Sequence, residues 1–318
     1  MDQNESPWDL PPEMKADLLA ELQSASWNRY PQPQHYQAVK KRFADTLQID
    51  PDSLAITVGC DEAIQGVHFL AGGSHRKALV FQPTYPMLTH AAFMAGTMVE
   101  EIELSPEYHI RSSLLTPCDL MLIANPNNPT GNLTDQSIIL TALDQSCMVF
   151  IDEAYFDFSK VTVYELLKDY PNLAIGRSCS KSMLAGIRLG ALIGRPRLIR
   201  NFESIVTSPY NLSHIQLVTA ARFNELLPYI NTACSKLVRE RELMSNSLSS
   251  MGLKFYPSAT NFILFRVDNA PTIHKELLKH GIRLRDMSRL RGLKNHLRVT
   301  VGTPEENVYF CEKLRKLL

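Results

Sequence analysis

The sequence predicts an α/β protein: a mostly parallel sheet covered by helices, forming a large domain, joined to a smaller α+β domain. Three observations carry this. Short apolar runs recur through the first two thirds of the chain. Helix-length segments separate them. After about residue 212 that rhythm gives way to a long charged helical stretch. Runs that are apolar at every position fit strands buried on both faces, as in a parallel sheet between two helix layers.

"LAITV" (54–58) reads as the first strand and stops at Gly59. Behind it, "DEAIQGVHFL" spaces Ala63, Ile64, Val67 and Leu70 as one helix face. "ALVF" (78–81), "LMLIA" (120–124), "CMVFID" (147–152), "LAIGR" (173–177) and "ALIG" (191–194) read as further strands. The charged helical stretch covers roughly 214–250, and leads to "TNFILFRV" (260–267), a helix around 271–280 and "HLRVTV" (296–301). The proline-rich first 30 residues are expected to pack against this second region. The predicted boundaries are therefore 31–212 for the large domain, and 1–30 with 213–318 for the small one.

Composition excludes several classes. Lys+Arg and Asp+Glu both number 33, so neither a nucleic acid nor an anionic membrane surface is an evident partner. The six cysteines are scattered without a C-x-x-C pair, which fits buried thiols in a reducing compartment and no zinc site. The first residues lack the apolar core of a signal peptide, and no apolar run of membrane-spanning length occurs. A cytoplasmic protein is expected.

Open parallel sheets bind ligands beyond the C-terminal ends of their strands, and five features of the sequence fall near such ends. In "VGCDEAI" (58–64), Gly59 closes a strand and Asp61 opens a helix whose free N–H groups suit a phosphate; a plain turn with an Asp cap accounts for it equally. "NPNNPTG" (125–131) is a tight loop, more specific in its order than turn chemistry requires. "FIDEAYFDF" (150–158) ends a buried strand on Asp152, a carboxylate that needs a cation such as a protonated pyridine. Alone, a helix cap and a core Tyr155 would be the simpler account.

"RSCSKSMLAGIRLG" (177–190) brings Ser178, Lys181 and Arg188 into one short segment. An imine-forming lysine needs a partly desolvated site with positive charge nearby, and a phosphate needs hydroxyls and an arginine. In "HLRVTVGTPEEN" (296–307), Arg298 interrupts an apolar strand, which fits a substrate carboxylate or an internal salt bridge equally well.

Taken together, "NPNNPTG", "DEAY", S-x-S-K, "GIRLG" and "LRVTVG" resemble the fold-type I pyridoxal-phosphate aminotransferases of class I/II. Within them the chain is most similar to the histidinol-phosphate aminotransferase group. "NRYPQPQ" (28–34), "QPTYPMLTHAA" (82–92), "TNFILFR" (260–266) and "GIRLRDMS" (281–288) extend the match over nearly the whole chain.

The resemblance implies that Lys181 forms the imine with the cofactor's aldehyde and later shuttles a proton. Asp152 pairs with the pyridine nitrogen, Tyr155 and Asn128 reach the ring's 3-oxygen, and Tyr85 stacks on the ring. The backbone amides of Cys60 and Asp61, with Ser178, Ser180 and Arg188, hold the phosphate. Arg298 clamps the substrate carboxylate and Arg285 faces a distal substrate phosphate. Tyr30 reaches the cofactor phosphate of a partner subunit, which implies a homodimer. The implied reaction moves an amino group from histidinol phosphate to 2-oxoglutarate by a ping-pong mechanism, in histidine biosynthesis. An aromatic amino acid aminotransferase, a threonine-phosphate decarboxylase and a non-catalytic protein of the same fold are the other readings.

Three departures from the family pattern carry expectations. Arg188 follows Lys181 by seven residues, one fewer than usual, so the loop is expected to tighten. "DQNESPWDLP" (2–11), NESPWDLP included, resembles the family's "NENP" segment with fewer residues before it than usual, so less cover over the substrate's phosphate is expected. The stretch between "EIELSPEYHI" and "CDLMLIANP" is compact, at no expected cost to the site.

Overall fold

The computed structural model describes residues 1–145, 147–207 and 210–318. Along the chain run α1 (Pro12–Ser24), α2 (Pro33–Leu47), β1 (Leu54–Val58), α3 (Gly59–Ala71), β2 (Lys77–Gln82), α4 (Met87–Ala95) and β3 (Met98–Glu103). Next come β4 (Leu120–Ala124), α5 (Gln136–Asp144), β5 (Met148–Asp152), a single-turn α6 (Phe156–Ser159), β6 (Leu173–Ser178) and β7 (Leu189–Gly194). The remainder comprises α7 (Pro196–Asn201), α8 (His214–Ala221), α9 (Phe223–Ser250), β8 (Lys254–Phe255), β9 (Phe262–Arg266), α10 (Ala270–Lys279), β10 (Arg285–Asp286), β11 (His296–Thr300) and α11 (Pro304–Arg315).

The first seven strands form one sheet in the order β1-β7-β6-β5-β4-β2-β3, and the last four form a second, β10-β11-β9-β8. In the large sheet β3, β2, β4, β5 and β6 pair parallel, while β7 runs antiparallel to both β6 and β1. That reversal matters for the site. Its first residue, not its last, lies at the edge where β4, β5 and β6 end, so Arg188, just before β7, arrives there too.

The continuous apolar strands have the expected cause. Along β4, Met121 and Ile123 join one core while Leu120, Leu122 and Ala124 join the other. In β5 Val149 and Ile151 face the first and Phe150 the second. Both sheet faces are thus buried, which removes the polar alternation of a one-sided sheet. Ala63, Ile64 and Val67 of α3 are buried against the second core, as their spacing predicts, with Leu70 partly buried beside them.

The predicted helical stretch 214–250 is two helices, divided at Arg222 (φ −106°, ψ 15°). The second belongs to both halves of the molecule: Leu226, Ile230 and Leu237 join the large-sheet core, while Met244 and Leu248 join that of the small sheet. The first residues of the chain divide similarly. Met14 and Leu18 of α1 sit in the large core. Met1 packs on the small-sheet core, and its carbonyl accepts from the Thr300 N–H of β11. No described helix is long and apolar enough to cross a membrane.

Candidate active site

A cleft of about 500 Å³, its open mouth included, lies at the edge where β4, β5 and β6 end. Its lining includes Cys60, Asp61, Tyr85, Asn128, Asp152, Tyr155, Ser178, Ser180, Lys181 and Arg188. Six separate segments of the sequence converge on it: five end or follow a strand of one sheet, and Arg188 precedes β7, which runs the other way.

One corner is built for an anion. Gly59 opens α3 with φ +68°, and a Cβ there would stand 2.8 Å from Arg188 Nη2, so only glycine leaves the guanidinium its place. The first N–H groups of this 13-residue helix have no partner within the helix. Arg188 donates from Nη1 to Ser180 Oγ at 3.1 Å and from Nη2 to Asp61 Oδ2 at 2.9 Å. Ser178 Oγ accepts from the Ser180 N–H at 3.2 Å.

Between Lys181 and Arg188 the chain turns sharply. Ser180–Leu184 forms a π-type turn, and Met183 takes φ +93° while Arg188 itself takes φ +60°. Gln216 Nε2 donates to the Arg188 carbonyl at 3.0 Å and fixes the loop.

Lys181 stands beside this corner, its Nζ donating to the Gln3 carbonyl at 3.3 Å. Burial lowers its pKa, and the positive charge of Arg298 lowers it further. Both effects move the amine towards its neutral form.

Asp152 ends β5 at the floor of the cleft, 5% exposed. Burial raises its carboxyl to a pKa of about 6, against the pull of the Ala154 N–H and the Cys60 thiol. It makes no ion pair among the described residues. Its neighbour Glu153 points the other way, as strand alternation requires, and pairs with Arg177 Nε at 2.8 Å. A buried carboxylate without a cation is costly, and a protonated ring nitrogen would relieve it.

Tyr155 is buried, and its hydroxyl accepts from Asn4 Nδ2 at 2.8 Å. Burial pushes that hydroxyl up to a pKa of about 12, although Arg298 and the Asn4 amide pull it down. Tyr85 donates to Asp61 Oδ1 at 3.1 Å, and burial with this neighbour pushes its hydroxyl above the ordinary range.

Arg298 approaches from β11 of the small sheet. Nη1 donates to Asn128 Oδ1 at 2.5 Å and Nη2 to the Asp2 carbonyl at 2.7 Å, leaving the buried Nε without a partner. No salt bridge engages it among the described residues, so the internal-pair alternative finds no support there. Burial lowers the pKa of the guanidinium. Arg285 is its directly opposed partner on β10 and is exposed. Tyr30 stands apart from the cleft. It is 70% exposed and stacks on Tyr210 with ring centroids 4.6 Å apart.

Asn4 is the functional residue that motif reasoning left without a role. It is 2% exposed. Beside holding the Tyr155 hydroxyl, it accepts from Thr300 Oγ1 at 3.0 Å and, through its carbonyl, from Asn261 Nδ2 at 3.0 Å. The family likeness of the "NESPWDLP" segment was the signal available for it. The Gln3 and Asp2 contacts are made by main-chain carbonyls and leave no mark in residue type.

The residues present fit a phosphorylated pyridine aldehyde on three independent counts. An anion corner, an amine of lowered pKa and a cation-deficient carboxylate share one cleft. Fold and site together define an enzyme that works through pyridoxal 5′-phosphate. The chain belongs to the aminotransferase class I and II family, whose model matches residues 1–314. A histidinol-phosphate aminotransferase of Hydrogenobaculum sp. (strain Y04AAS1) is 32% identical over 323 residues, covering 99% of this chain and 91% of its own. Among solved structures, the histidinol-phosphate aminotransferase of Clostridium acetobutylicum superimposes with a TM-score of 0.89 at 22% identity, over 99% of this chain and 98% of that one. That of Sinorhizobium meliloti, solved in complex with pyridoxal-5′-phosphate, gives 0.87 at 22%, over 100% and 90%.

Proposed function

We propose that the protein transfers the amino group of histidinol phosphate to 2-oxoglutarate, with the residues of the cleft in the roles their chemistry fits. The observation that carries this is the meeting of Lys181, Asp152 and Arg188 in one cleft, on a chain about one third identical to relatives bearing that name.

When bound, pyridoxal phosphate supplies an electron sink for the charge that develops at the amino donor's Cα. The rest is the work of side chains. Lys181 Nζ would hold the cofactor through its aldehyde carbon and would carry the proton removed from the donor's Cα. Asp152 keeps the ring nitrogen protonated. Tyr155 and Asn128 steady the ring's 3-oxygen, and Tyr85 covers the ring face. Arg188, Ser178, Ser180 and the Cys60 and Asp61 amides bind the phosphate. The two half-reactions use this site in turn, the first product leaving before the 2-oxo acid enters.

Arg298 takes the substrate's anionic end. Its exposed neighbour Arg285 adds a second guanidinium, which suits a donor bearing a phosphate far from its amino group. Truncating Arg298 to alanine is expected to raise KM for 2-oxoglutarate by about 100-fold, with kcat falling much less. Steady-state kinetics over both substrates check this.

A homodimer completes the reading. Tyr210, on which Tyr30 stacks, lines a groove of about 1090 Å³, its open mouth included, together with Pro31, Tyr36 and Leu212, and exposed Trp27 and Ile205 add apolar surface. In the dimer Tyr30 would reach the partner's cofactor phosphate. The enzyme is assigned to the cytoplasm. On a division into a domain of 31–212 and one of 1–30 with 213–318, the first supplies the lining of the cleft and the second brings Arg298 to Asn128.

The deciding experiment is a half-reaction. Histidinol phosphate added without an oxo acid should convert the bound cofactor to its amine form, followed by absorbance, and 2-oxoglutarate should reverse it. Release of carbon dioxide instead would mark a decarboxylase. Conversion by aromatic amino acids alone would mark the other transaminase.

A further inference from the structure

At the floor of the cleft the Asp152 carboxylate is held asymmetrically. Oδ1 receives two donors, the Ala154 N–H at 3.0 Å and the Cys60 thiol at 3.4 Å. Oδ2 accepts none among the described residues, and Asp152 lines the cleft. The carboxylate is thus anchored by one oxygen and open at the other.

The thiol reaches Oδ1 because the neighbouring strand makes room. Gly176 on β6 is the residue directly opposed to Asp152. A Cβ at Gly176 would lie 2.6 Å from Cys60 Sγ and 2.6 Å from Phe150 Cζ, so any side chain there would expel the sulfur. Cys60 is buried in the same pocket of strand and helix. Its position on α3 also ties two ends of the site together, since the same residue offers its main chain at the anion corner and its side chain beneath the carboxylate.

We infer that Cys60 is a positioning residue: its thiol fixes the rotamer of Asp152, so that Oδ2 is presented to the ring nitrogen of the cofactor, and favours the charged carboxylate. This rests on the reading of the site given above. A thiol is a weak donor in water, but in a buried site with one competing acceptor its contribution grows. Burial and the adjacent Asp152 hold the Cys60 thiol protonated through the neutral range, so it remains able to donate.

The test compares Cys60→Ala and Cys60→Ser, each in the wild-type and the Asp152→Asn background. Pyridoxal phosphate dissociation is measured across the neutral pH range by quenching of intrinsic fluorescence. Cys60→Ala should weaken binding about tenfold and move the pH at which binding becomes tight upward, because Asp152 loses a donor that favours its anion. Cys60→Ser, which keeps a hydroxyl donor in a similar volume, should stay within about threefold of wild type. In the Asp152→Asn background Cys60→Ala should change affinity less than about twofold. An equal loss in both backgrounds would reduce Cys60 to packing, as would serine behaving like alanine. Unchanged affinity in Cys60→Ala would also overturn the inference. Borohydride reduction of the wild-type holoenzyme guards the underlying reading. If it leaves no cofactor mass on Lys181, the site assignment itself falls. If the mass is present and Cys60→Ala is silent, only the role of Cys60 does.

Discussion

Replacing Lys181 with alanine is expected to lower turnover by at least about 10⁴-fold while leaving the fold intact. In the proposed reaction the lysine carries two roles that no neighbour can assume. It is the one amine lining the cleft, and burial together with the charge of Arg298 keeps it closer to its neutral, basic form. Among the described residues its side chain makes one hydrogen bond, a 3.3 Å contact to the Gln3 carbonyl, so little structure depends on it. The thermal midpoint of the cofactor-free variant should accordingly remain close to that of the wild type. Borohydride reduction followed by peptide mass analysis should find the cofactor on Lys181 of the wild type, and nowhere in the variant. Fluorescence should still report cofactor binding, because the phosphate corner and Asp152 are untouched. Retained turnover in a variant that binds cofactor would exclude Lys181 from the proton transfer.

Much of this site was legible because its side chains follow strands. Asp152, Asn128 and Lys181 each stand just at or beyond an apolar run that a sheet must bury on both faces, and the ends of such runs meet at one edge by topology alone. What escaped the sequence has a physical pattern too. The antiparallel direction of β7 cannot be read from a six-residue apolar strand, since burial on both faces erases any trace of direction. The break at Arg222 is announced by no glycine or proline, whereas Pro228 lies inside α9 without ending it. The carbonyls of Asp2 and Gln3 reach Arg298 and Lys181 through the main chain, whose polarity is the same at every residue. The sulfur of Cys60 finds Asp152 only because Gly176 is the opposed residue on another strand, a pairing that depends on register.

Asp152→Asn should produce opposite effects on catalysis and on the stability of the cofactor-free protein. Turnover should fall about 10³-fold, because asparagine cannot hold the ring nitrogen protonated through an ion pair. Stability should rise, and the sign follows from linkage. The carboxyl of Asp152 is raised from its ordinary pKa of 3.8 to about 6 in the fold, with burial the largest cause. A raised pKa means that the folded state binds this proton more tightly than the unfolded chain does. The resulting stabilisation is fully present below about pH 4 and is lost as the pH rises through about 6. The rise from 3.8 to about 6 corresponds to about 3 kcal/mol at most, the cost of ionising Asp152 without a cation. Asparagine carries no such charge. Denaturant unfolding of cofactor-free protein should therefore find the variant more stable than wild type at pH 8, with the gap closing towards pH 4. Saturating pyridoxal phosphate should reverse the order at pH 8, since the wild type gains the ion pair and the variant does not. A gap that is independent of pH would mean that Asp152 titrates alike in the folded and unfolded chain, and would remove the unpaired buried carboxylate that a protonated ring is proposed to relieve.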